Sequence, residues 1–180
     1  YSVKCFTLNT SSVYFVLFTN SSFIPYKDIL KSRLNEKRYY HSLCVADEAK
    51  RLALKYGGDA EKCYLAGLLH DITKNTSDEE HLKIFESFGI MLNDIEKKAQ
   101  KLWHAMSGEA YIKNVLGIDD LELLDAVRYH TTAKKNMSLT AKILYLADRN
   151  ILVDQSIQQD FAPVEKVTHK IGEKYNVIVA

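Results

Sequence analysis

The chain has 180 residues, with 24 Lys and Arg against 23 Asp and Glu and a formal net charge of +1. That length is most simply one domain with a sizeable core, and the near-neutral balance argues against nucleic acid or an anionic membrane as a partner. Three cysteines (Cys5, Cys44 and Cys63), none in a CxxC pattern, argue against a disulfide framework and fit reduced thiols in the cytoplasm.

Residues 1–24 are rich in Ser, Thr, Val and Phe, which suits a strand or an irregular arm. VYFVLF at 13–18 falls well short of the about eighteen apolar residues of a membrane span. Lys4 precedes it as in a signal peptide, but TNSSF is a poor cleavage region. The chain starts at Tyr1 and its first Met is Met91, so it reads as a fragment, a processed product or an incomplete reading frame.

From Pro25 the texture is helical. YKDILKSRLN reads as a short amphipathic helix with Pro25 near its start. EKRYYHSLCVADEAKRLALK, residues 36–55, reads as a long one, with His41, Val45, Ala49 and Leu52 on one stripe. Gly57-Gly58 stops it, and Asp59 is placed to cap the next helix, about Ala60 to Asp71. Ser77 with Glu80 has capping-box spacing and opens a helix ending before Gly89. One or two helices follow over 94–116, another over 119–130, and a last over LTAKILYLADRN, capped by Ser138. The pattern predicts an all-α fold: an irregular arm at 1–24, a helical domain at 25–150 and a tail at 151–180.

The chemistry sits where apolar runs meet histidine. His41, His70, His104 and His130 occur in RYYHS, LLHD, LWHA and RYHT. Taken singly, each is more simply a satisfied core or surface group. As a group they join Asp71 and Asp148, the latter ending ILYLAD. Histidine and aspartate without cysteine suit ions such as Fe, Mn, Zn or Mg. Neighbours on a helix point about 100° apart, so His70 and Asp71 share an ion only with ligands from other helices. His81 and His169 read as surface residues, Cys44 as a small buried residue, and Trp103 and Tyr39-Tyr40 as packing.

His41, then His70-Asp71, then Asp148 resembles the H…HD…D signature of HD-domain metal-dependent phosphohydrolases. The segments KRYYHSLCVADEAKRLA, KCYLAGLLHDITK, LWHAMSGEAYI and AVRYHTTAKKNMSLTAKILYLAD resemble the YqeK-type bacterial subfamily over about residues 26–149. That subfamily consists of symmetrical bis(5′-nucleosyl)-tetraphosphatases, which cleave diadenosine tetraphosphate to two ADP. The resemblance implies an HD-domain helical bundle with His41, His70, Asp71 and Asp148 as ligands of a divalent or trivalent metal, most simply iron. It implies nucleotide contacts from Arg38, Cys44, Lys74, His104, His130 and Thr131, with Lys74, His104 and His130 also serving catalysis. A bound metal activates water and polarises a phosphoryl oxygen; Lys74 supplies a point charge for phosphate; His104 and His130 can donate hydrogen bonds or transfer protons. It also implies a cytoplasmic enzyme, with a homodimer as one assembly.

After Asp148 the text departs from the family's ADYIEPGR-like stretch, and Arg149 is the only nearby substitute for its arginine. This departure keeps two alternatives in view: an HD phosphohydrolase for another nucleotide, and a non-catalytic nucleotide- or metal-binding module.

Overall fold

A computed structural model describes residues 23–156, with side chains to Ile151; residues 1–22 of the expected arm and residues 157–180 of the expected tail, His169 among them, lie outside the described residues. Among the described residues there are eight α-helices and no strand, as the sequence pattern predicts. None of these helices is long and apolar enough to cross a membrane.

Helix α1 spans Ile24–Arg33, with Pro25 in its first turn, where the missing N–H costs nothing. Phe23 is buried and packs on Tyr64 with ring centroids 4.9 Å apart. The core therefore begins inside the stretch read as an arm. Helix α2 spans Glu36–Tyr56. The Asn35 side chain accepts from the Arg38 N–H, and Gly57 closes the helix at φ 73°, a left-handed conformation that glycine adopts without strain.

Helix α3 spans Ala60–Leu69, and the Asp59 carboxylate accepts from the Glu61 and Lys62 N–H groups. It ends before the expected Asp71. There the backbone tightens, with Ile72 N–H donating to the Leu69 carbonyl and Lys74 N–H to the Asp71 carbonyl. Helix α4 spans Asp78–Ser87, with Ser77 accepting from the Glu80 N–H. The complete capping box belongs to Asn93 and Glu96, at the start of α5, Asp94–Lys98. A 3₁₀ turn at Gln100–Leu102 leads into α6, Trp103–Asn114. Helix α7 spans Leu121–Tyr129 behind Asp120 as cap. Helix α8 spans Leu139–Ser156, and the Ser138 hydroxyl accepts from the Ala141 N–H at 3.2 Å.

Helix α2 packs chiefly on α3 and α8, with α7 closing the bundle against α8 and α6. Val45, Ala49, Leu68, Leu69, Ile72 and Leu144 are all fully buried there. The α2–α3 crossing is close because Gly67 has no side chain: a Cβ there would lie 2.7 Å from Ala46 Cα. A smaller apolar cluster of Phe85, Trp103 and Met106 joins α4 to α6, and Trp103 Nε1–H donates to the Glu96 carbonyl at 2.8 Å. Trp103 is thus a packing residue, as the sequence suggests. Tyr39 packs partly against the core, while Tyr40 is exposed.

Candidate metal centre

Three of the four singled-out histidines are held by the same local device. His70 Nδ1 lies 2.6 Å from the Gly67 carbonyl, His104 Nδ1 2.9 Å from that of Lys101, and His130 Nδ1 2.7 Å from that of Val127. In each case the ring reaches back three residues. His70 and His130 occupy the C-caps of α3 and α7, where carbonyls lack helical partners, so the imidazole satisfies one of them. A carbonyl only accepts. Each ring therefore carries its proton on Nδ1 and presents a bare Nε2 lone pair.

These lone pairs converge on Asp71. Its Oδ2 is 3.5 Å from His70 Nε2, and its Oδ1 is 3.4 Å from His104 Nε2 and 3.6 Å from His130 Nε2. Asp148, brought in on α8, places Oδ1 3.1 Å from His41 Nε2 and 3.7 Å from His70 Nε2. The groups His41–His70–Asp71 and Asp71–His104–His130 each offer one ligand atom per residue within 4.8 Å of one another. All six side chains are buried.

The donor set fits a cation. His70 Nε2 is buried with no hydrogen-bond partner among the described residues, which is costly unless something fills the role. His104 Nε2 and His130 Nε2 face each other at 3.2 Å, and two acceptors at that distance repel. Two carboxylates complete a set of nitrogen and oxygen donors suited to a transition metal, and the backbone carbonyls behind the rings supply the outer hydrogen bonds that orient ligating histidines. These buried His/Asp clusters can hold a metal ion.

Burial lowers the pKa of His70 to about 4 and that of His104 to about 3, so both rings are neutral at physiological pH. Burial opposes ionisation of Asp71, yet the polar groups around it, the Lys74 ammonium among them, hold its carboxyl well below the usual range. Burial likewise opposes ionisation of Asp148, but the His41 hydrogen bond lowers its pKa. Desolvation also lowers the pKa of Lys74.

The expected nucleotide contacts are distributed around this cluster. Arg38, one turn before His41 on α2, places a guanidinium nitrogen 3.2 Å from Asp71 Oδ2. Lys74 Nζ is 3.0 Å from His104 Nε2 and 4.0 Å from Asp71 Oδ1. Thr131 follows His130; its hydroxyl is buried with no partner among the described residues, and its carbonyl accepts from Arg149 at 3.1 Å. Cys44 is half-buried rather than enclosed, because it lies off the Val45–Ala49 stripe of α2. Asp148 engages His41 and His70 rather than Arg149.

One sequence reading is overturned. His81 is buried, not a surface residue, with Nδ1 2.8 Å from the Ser107 hydroxyl. Its flank is polar, but His81, Ile84, Phe85 and Phe88 share one helical stripe, and α6 covers the inner part of it. That stripe was the available signal. Ser107 and Thr73, which His81 joins, carried none.

A family model described as "HD domain" matches residues 38–150. The chain belongs to the HD-domain family. It is 38% identical over 120 residues to the "Bis(5'-nucleosyl)-tetraphosphatase, symmetrical" of Halalkalibacterium halodurans, covering 67% of this chain and 64% of that one. It is 38% identical over 122 residues to the protein of the same name from Staphylococcus aureus, covering 68% of this chain and 62% of that one. The match thus spans somewhat less than two thirds of each relative's length. A solved structure from Clostridium acetobutylicum, described as a "predicted HD superfamily hydrolase involved in NAD metabolism", superposes with a TM-score of 0.72 at 36% identity, covering 86% of this chain and 78% of that one.

Proposed function

We propose that the chain is a metal-dependent hydrolase cleaving diadenosine tetraphosphate symmetrically to two ADP. The observation that carries this reading is the convergence of three Nε2 lone pairs on Asp71, in a chain whose relatives are named symmetrical tetraphosphatases. His41, His70, Asp71 and Asp148 hold the metal, which we take to be iron. When bound, it supplies Lewis acidity toward the phosphate and a lowered pKa for water.

The chain's own residues do the rest. Lys74 meets the phosphates as a point charge. The Nε2 atoms of His104 and His130 can each accept a proton and then donate it, so each can shuttle a proton at the reacting phosphate. Arg38, Cys44 and Thr131 line the approach and orient the nucleotide. Positioning and charge neutralisation dominate, as expected for phosphoryl transfer. The reading places the enzyme in the cytoplasm and extends to a homodimer as one assembly.

The test is turnover of diadenosine tetraphosphate by the purified chain, with metal content measured on the same sample and products separated by chromatography. ADP as sole product, lost in His70→Ala, is the expected result. AMP with ATP would overturn the symmetrical cleavage. Bound metal without turnover would favour another nucleotide or a binding module.

A further inference from the structure

One buried polar chain lies outside the cluster just described. His81 Nδ1 on α4 is 2.8 Å from Ser107 Oγ on α6. Ser107 Oγ is 2.9 Å from Thr73 Oγ1, in the turn after α3. Thr73 Oγ1–H donates to the His104 carbonyl at 2.8 Å. All four residues are buried. The last link orders the others. The carbonyl only accepts, so it takes the Thr73 proton. Thr73 Oγ1 then accepts from Ser107, and Ser107 Oγ accepts from His81, whose proton sits on Nδ1. Burial lowers the pKa of His81, consistent with one neutral tautomer. The chain runs in a single direction, and each hydroxyl polarises the next.

We infer that His81, acting through Ser107 and Thr73, is a positioning residue for the Lys74–His104 pair. Thr73 is the residue before Lys74, and the chain ends on the backbone of His104. Lys74 Nζ reaches His104 Nε2 at 3.0 Å. The turn and α6 are therefore pinned at two points, one through backbone and one between side chains. Without the His81 donor, the Ser107 hydroxyl keeps only its bond to Thr73, so it holds the turn less firmly and the turn can slide along α6. A displacement of about 1 Å at a catalytic pair can cost about 100-fold in rate.

The inference rests on the hydrolase reading for its kinetic readout. The experiment compares kcat, KM and metal content for the full chain, His81→Phe, His81→Asn, His104→Ala and the double variant His81→Phe/His104→Ala. Asparagine keeps an N–H near the position of Nδ1; phenylalanine fills the space without one. The expected result is a loss in kcat of about 10-fold or more in His81→Phe, with metal content unchanged, and recovery to within about threefold in His81→Asn. In the His104→Ala background the same change costs less than about threefold, because the pair being positioned is already broken. Equal losses in both backgrounds would overturn the inference, since a merely structural role is additive. So would an asparagine variant as slow as the phenylalanine one. If His81→Phe does not fold, Ser107→Ala takes its place in the cycle with the same two outcomes. Absence of turnover in the unaltered chain would refute the hydrolase reading alone; the same cycle read in ADP affinity then decides, coupling supporting the positioning role and additivity overturning it.

Discussion

Gly67→Ala tests how closely the site depends on one helix crossing. The added Cβ would lie 2.7 Å from Ala46 Cα and 2.9 Å from both Ala46 N and the Val45 carbonyl oxygen. These are backbone atoms, which cannot swing aside as a side-chain tip can. Ordinary contact begins at 3.4 Å, so the two helices must part locally by about 0.7 Å in a tightly packed core. Alanine in place of glycine gains up to about 1 kcal/mol of helix propensity, while overpacking costs about 1–3 kcal/mol. Overpacking wins against backbone, leaving a net loss of up to about 2 kcal/mol, or a fall of up to about 8 °C in Tm for a chain of this size. The crossing also lies about a turn along each helix from His41 and His70, whose ring centroids are 5.3 Å apart. Ligand sets tolerate displacements of about 0.5 Å, so metal affinity should fall about tenfold or more. Thermal unfolding of the metal-free chain and calorimetric metal titration measure the two effects. An alanine variant as stable as the parent, with unaltered metal affinity, would refute this reasoning.

His70→Ala and Asp71→Asn should each lose bound metal and turnover together; stoichiometric metal with full activity in either would sink the ligand assignment. Lys74→Ala should retain metal but lower kcat/KM about tenfold, roughly 1.4 kcal/mol of transition-state stabilisation, and an unchanged kcat/KM would remove Lys74 from the phosphate site. The metal-free chain should lose stability on acidification. His70 has a folded pKa of about 4 against an ordinary 6.5, so between those values the unfolded chain binds the extra proton. Its contribution is complete above pH 6.5 and falls as pH drops, by about 1.4 kcal/mol per pH unit for each such proton; His104, at about 3, acts in the same direction. A Tm that stays flat or rises from pH 7 to pH 5 would contradict neutral, buried imidazoles.

Helix punctuation was legible in the sequence because it is local. Asp59, Ser77, Gly57 and Pro25 act on backbone groups within a turn of themselves, and each does so where expected. The six side chains of the cluster stood out in the sequence because each is a polar group set among apolar residues and costly to bury without a partner. What the sequence concealed was three-dimensional. No periodicity shows that Asp71 presents one oxygen to His70 and the other to His104 and His130. His81 misled because its immediate neighbours are acidic, and the element covering it, α6, lies more than twenty residues away in the chain. Ser107 and Thr73 are small hydroxyl residues whose meaning depends wholly on whom they meet.

The facing Nε2 atoms of His104 and His130, 3.2 Å apart, bear on the life of the protein as well as on its chemistry. The carbonyls of Lys101 and Val127 fix the orientation of both rings, so neither can turn away from the other. A cation held by these side chains would bind only the native state and raise its stability by mass action. Small losses of stability change how much protein survives cellular quality control. Metal scarcity would then deplete this chain twice over, first by emptying the site and afterwards by shortening the lifetime of the molecules that carry it.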